Sequence, residues 1–97
     1  MRIEFADDHL ARICTAEAHR LGLPIAIIKA ARRRLIQLEA ARDERDLREL
    51  KSLNYKKRKG DPDGRRSIRI NDQYRIFFTL SDDYPPVVTI TDIGDPH

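Results

Sequence analysis

The chain has 97 residues, of which 40% are hydrophobic and 36% charged, with a formal net charge of +3. Such a length supports one domain around a modest core, and such a composition excludes both wholesale disorder and a membrane-spanning protein, since no apolar run approaches the ~20 residues a bilayer requires. Cys14 is the sole cysteine, so no intrachain disulfide can form, and the charged start "MRIEFADDHL" carries no signal-peptide core; the cytoplasm is the expected compartment.

The elements follow in chain order. Ile3 and Phe5 alternate with polar residues in "RIEF", which predicts a short strand. Asp7 or Asp8 then caps a first helix, with Leu10, Ile13, Cys14, Ala18 and Leu21 as its apolar stripe and Cys14 inside the core. Gly22 ends it and Pro24 opens a second helix, from about Pro24 to Ala41, buried through Ile28, Ala31, Leu35 and Leu38. The connection is too short for anything but an antiparallel helical hairpin. Arg32, Arg33 and Arg34 spread over roughly 200° of helix, which reads as a solvated face rather than a binding patch. A further turn or two of helix is expected in "RDERDLRELKSL", docked by Leu47, Leu50 and Leu53.

Beyond it lies "NYKKRKGDPDGRR", a basic loop or the entry to an edge strand, turning at Gly60, Pro62 and Gly64. Three strands follow, at about Ser67–Asn71, Tyr74–Leu80 and Val87–Asp92, with "SDDYPP" between the last two. The expected class is α+β, order β-α-α-β-β-β: an antiparallel twisted sheet packed on an N-terminal αα hairpin, forming a single domain over residues 1–97.

The register of the hairpin "RRSIRINDQYRIFF" can be chosen on physical grounds. A two-residue loop would pair Ile68 with Arg75; a three-residue loop, Asn71-Asp72-Gln73, pairs Ile70 with Tyr74 and Ile68 with Ile76, so that Ile68, Ile70, Tyr74, Ile76, Phe78 and Leu80 share a face. The second register sets Arg69 opposite Arg75 on the other face, beside Phe77. Opposed guanidiniums destabilise a sheet by a few tenths to ~1 kcal/mol. They suit a surface that grips phosphate through planar forks and offers an aromatic ring to a base. Lys51 to Arg75 holds nine basic residues against three acids, which points to a polyanionic partner, nucleic acid before an acidic protein segment.

The string "SIRINDQYRIFF", after "KGD" at 59–61 and Gly64, resembles the signature of HigB-type toxins of the RelE/ParE toxin–antitoxin superfamily. The resemblance is strong from about Asp46 to Asp92, and the element order extends it to nearly the whole chain. It implies a ribosome-dependent messenger-RNA endoribonuclease neutralised by a HigA-like helix-turn-helix antitoxin. It also implies attack of a ribose 2′-OH on the adjacent phosphodiester without a metal or other cofactor. In that reading Arg69 and Arg75 match the family's strand arginines, while Lys56, Lys57 and Lys59, with Arg66 and Phe77, contact RNA. Many members close the last strand with Asp, an aromatic and His. Here "TDIGDPH" keeps Asp92 but places Ile93 and Gly94 at the next two positions, with Asp95 and His97 beyond. Either His97 serves as proton carrier, giving a catalytic set of Arg75, Asp92 and His97, or Asp92 works with a lysine, or activity is weak. His9 and His19 are expected as ordinary helix residues, about 80° apart. The alternatives are a ParE-like inhibitor of DNA gyrase and a degenerate toxin that only binds its antitoxin.

Overall fold

The computed structural model describes residues 1–96. The strands are β1 (Arg2–Phe5), β2 (Lys56–Lys57), β3 (Arg66–Arg69), β4 (Arg75–Leu80) and β5 (Val87–Gly94), in sheet order β1-β5-β4-β3-β2. The helices are α1 (Asp8–Ala11), α2 (Ile25–Ala40) and α3 (Glu44–Glu49). The α+β class is as the sequence predicts; to the expected β-α-α-β-β-β order the structure adds α3 and the two-residue edge strand β2. The sheet, however, is mixed: β1 joins β5 in parallel, and the remaining pairs are antiparallel.

The hairpin takes the three-residue register, with Ile68 opposite Ile76 and Arg69 opposite Arg75. Asn71 stabilises the turn by accepting from the backbone amides of Gln73 and Tyr74, both at 2.8 Å. Ile68, Ile76 and Phe78 are fully buried, with Val88 and Ile90 beside them, against Ile27, Ile28, Ala31, Leu35 and Leu38 of α2. One face of the sheet therefore carries the core, and the other is left open.

The expected first helix is not continuous. After α1 the chain tightens into short 3-10 turns at Arg12–Cys14 and Ala18–Leu21, broken by an extended Thr15. The Thr15 hydroxyl donates to Arg12 O at 2.9 Å and accepts from Glu17 N at 3.1 Å, a local pattern that competes with the helical ladder. The break takes Cys14 off the apolar stripe, and it is exposed rather than core. Arg32 is not simply solvated either. It donates to Ile13 O at 2.6 Å and Thr15 O at 2.9 Å, satisfying the carbonyls the break leaves open. Leu47 and Leu53 dock the α3 segment as expected, whereas Leu50 stays exposed.

Two irregularities shape the open face. Asn54 adopts a left-handed conformation (φ 45°) and turns the chain from α3 into β2. In β5, Phe77 pairs with Asp92 while Phe78 pairs with Ile90, so Thr91 is an extra, bulged residue. Strict alternation from Ile90 would bury Asp92. The bulge instead puts Asp92 on the open face and returns Ile93 to the core at 7% exposure.

Candidate nucleic-acid interface

The open face holds a groove of about 750 Å³. Its floor comes from alternate residues of four strands: Lys56 of β2, Ser67 and Arg69 of β3, Arg75 and Phe77 of β4, and Asp92 of β5. Arg58 and Arg65 add positive charge at one side. Asn71, Asp72, Gln73 and Asp95 form the other end, where Gln73 Nε2 donates to Asp95 at 3.0 Å.

Arg75 is the fixed point of this surface. Its Nε donates to Ser67 Oγ at 2.9 Å, and a terminal nitrogen donates to Asn54 O at 2.5 Å. Ser67 stands diagonally across the ladder, so the guanidinium leans toward it and away from Arg69, which eases the like-charge contact. Burial, and then the neighbouring Arg69, lower the pKa of Arg75 from its ordinary value. Arg69 reaches Asp72 at 3.4 Å, but Asp72 is fully solvated and screens it weakly. Gly94 lies opposite Arg75 in the ladder, and a Cβ built there would meet nothing within 4 Å, so the β5 side of the groove is open at this position.

The structure brings together Arg69, Arg75, Phe77, Asp92 and Lys56. Lys57 alternates away from Lys56 but lines the groove at the sheet edge. Lys59 lies in the turn outside the groove lining. Arg66 differs more. It sits two residues before Ile68, pairs with Phe78, and so projects to the core side. Its guanidinium meets Glu44 at 3.2 Å and Gly64 O at 3.0 Å, so α3 holds it, while the residue still contributes to the groove lining. Tyr55 lies beside this pair, stacked on Phe78 with ring centroids 6.2 Å apart, and burial pushes its phenol up to about 12. Replacing Glu44 with Ala should strand a mostly buried Arg66 and cost about 1–3 kcal/mol in chemical denaturation; an unchanged midpoint would mean the pair contributes nothing.

His97 lies outside the described residues. His9 and His19 are exposed in the N-terminal segment, away from the groove. Among the described residues, no group of three or more His, Cys, Asp or Glu side chains is placed to hold a metal, and no helix is long and apolar enough to cross a membrane. Sequence reasoning missed Ser67 and Asn54. Ser67 was detectable, because the chosen register puts it on the arginine face; Asn54 acts through its carbonyl, which leaves no signal in residue type.

A family model described as "RelE-like toxin of type II toxin-antitoxin system HigB" matches residues 3–97. The chain belongs to the HigB-like toxins. The toxin is 33% identical over 97 residues to "Toxin HigB-1" of Vibrio cholerae serotype O1 (strain ATCC 39315 / El Tor Inaba N16961), covering all of this chain and 98% of that protein. Its fold matches a YoeB/ParE toxin from Agrobacterium tumefaciens, with TM-score 0.56 and 13% identity over the whole of both chains. It likewise matches YoeB from Staphylococcus aureus, solved as a dimer, with TM-score 0.56 and 17% identity over 100% of this chain and 97% of that one. The toxin is therefore the RelE-like component of a type II toxin–antitoxin system, a kind of system in which an antitoxin is the partner.

Proposed function

We propose that the toxin is a ribosome-dependent messenger-RNA endoribonuclease, acting in the cytoplasm without a metal and neutralised by a HigA-like helix-turn-helix antitoxin. The observation that carries this reading is the anchored Arg75 beside Arg69, Phe77 and Asp92 on the open sheet face. Arg75, held by Ser67 and Asn54, is set to receive a phosphodiester with no rearrangement, which is where preorganised charge is worth most. Arg69, Lys56 and Lys57 take flanking phosphates, with Lys59 at the rim, and Phe77 gives a base a stacking surface. Arg66 acts indirectly, by fixing β3 against α3.

In the reaction the ribose 2′-oxygen forms a bond to phosphorus and the bond to the 5′-oxygen breaks. A base removes the 2′-proton and an acid supplies one to the leaving oxygen. Asp92, exposed across the ladder from Phe77, and His97 are the proposed proton carriers. Imidazole is the one side chain whose ordinary pKa lies near neutrality. Asp92→Asn and deletion of His97 should each slow transcript cutting at least about a hundredfold if that residue contributes acid–base catalysis. Primer-extension mapping on translating ribosomes, with and without EDTA, provides the test. Intact transcripts together with inhibited gyrase supercoiling would establish the ParE-like reading instead, and undiminished cutting by both variants would move the proton transfers to the lysines of residues 56–59.

A further inference from the structure

The side of α2 turned away from the sheet is not an ordinary solvated surface. Ile25 and Ile36 are 72% and 66% exposed. Lys29 and Arg33 lie between them and are exposed, and neither forms an ion pair or hydrogen bond among the described residues. At 100° per residue these four side chains fall within about 80° of one another, in a stripe about 16 Å long. Most other arginines of the N-terminal half have found partners: Arg20 with Glu17, Arg42 with Asp46, Arg45 with Asp43. A crevice of about 350 Å³ opens beside the stripe, lined by Ala30, Arg33, Arg34, Ile36, Gln37 and Ile70. Arg34 donates to Gln37 at 2.8 Å and keeps its wall ordered.

Two large aliphatic side chains flanking two unneutralised cations match one kind of occupant: an amphipathic protein segment whose apolar side chains cover the isoleucines and whose carboxylates meet Lys29 and Arg33. RNA would use the cations but leave the isoleucines in water. We propose that this face of α2 is where the antitoxin docks, through an acidic amphipathic segment with one apolar side chain seated in the crevice by Ile36. The inference rests on the toxin–antitoxin assignment and is independent of whether the groove cuts RNA, since the groove lies on the opposite face of the sheet.

The test uses the full-length toxin and the purified protein encoded by the neighbouring reading frame, titrated by calorimetry. Ile36→Glu and the pair Lys29→Glu with Arg33→Glu should each weaken binding at least about tenfold, consistent with loss of a central apolar anchor or of complementary charge. The loss in the charge pair should shrink at high salt, and that in Ile36→Glu should not. All three positions are exposed, so melting curves should match the parent. Ile36→Ala provides a milder check should the glutamate perturb α2. Unchanged affinity in both variants overturns the proposal. So does a parent toxin that binds no such protein, a result that leaves the nuclease reading untouched. Weakened ribosome binding with intact antitoxin binding overturns it as well, and would give this face to RNA.

Discussion

Arg75→Ala should abolish most of the toxin's effect, lowering transcript cutting by about 10²–10³-fold, the loss typical when one preorganised charge is removed from a developing oxyanion. Relief of the Arg69 contact argues for a gain in stability. The anchors argue the other way, and more strongly: Ser67 is buried, and its hydroxyl would lose the Nε donor 2.9 Å away. The variant should therefore be less stable, by about 1–2 kcal/mol, and still folded. Arg75→Lys separates charge from geometry. An ammonium keeps the charge but cannot span both Ser67 Oγ and Asn54 O, so most of the activity should be lost here too. Cutting mapped on translating ribosomes, alongside urea denaturation, measures both quantities. Full activity in either variant would remove Arg75 from the phosphate site.

Phe78→Ala should be the most damaging core substitution. Phe78 has no exposed surface, lies on β4 between β3 and β5, and stacks on Tyr55. Truncating it costs the transfer of an aromatic ring plus a cavity flanked by two sheet neighbours, about 3–5 kcal/mol. Against the ~5–15 kcal/mol typical of a domain, that is enough to leave a substantial unfolded population near 37 °C. A wild-type denaturation midpoint in this variant would contradict the packing described here.

The residues differ in how much of their placement could be read from the sequence, and the reasons are local. The β3–β4 register was legible because a one-residue slip would have set Arg75 among isoleucines. The same parity argument, carried back from Ile68, assigns Arg66 to the core face; only the tertiary fold shows that Glu44 is there to receive it. The break at Thr15 was hidden because hydrophobic spacing continued through it while one hydroxyl redirected the backbone. Asp92 reaches the open face through a bulge at Thr91, and nothing in "TITDIG" distinguishes a bulged strand from a straight one. Family resemblance pointed to Asp92, but only the bulge accounts for its position.

The pairing of β1 with β5 sets an order of events. Residues 2–5 lie beside residues 87–90, so the sheet cannot be completed until some eighty intervening residues have been made. β5 also stands between β1 and β4 and supplies Asp92 and the open position at Gly94. A chain still being translated thus has neither a closed core nor a finished groove. Because that last step joins distant parts of the sequence, it should be slow relative to the local β3–β4 hairpin. On the proposed function, a chain without its final strand lacks the finished site, and the time that strand takes to insert is time in which an antitoxin can engage the toxin first.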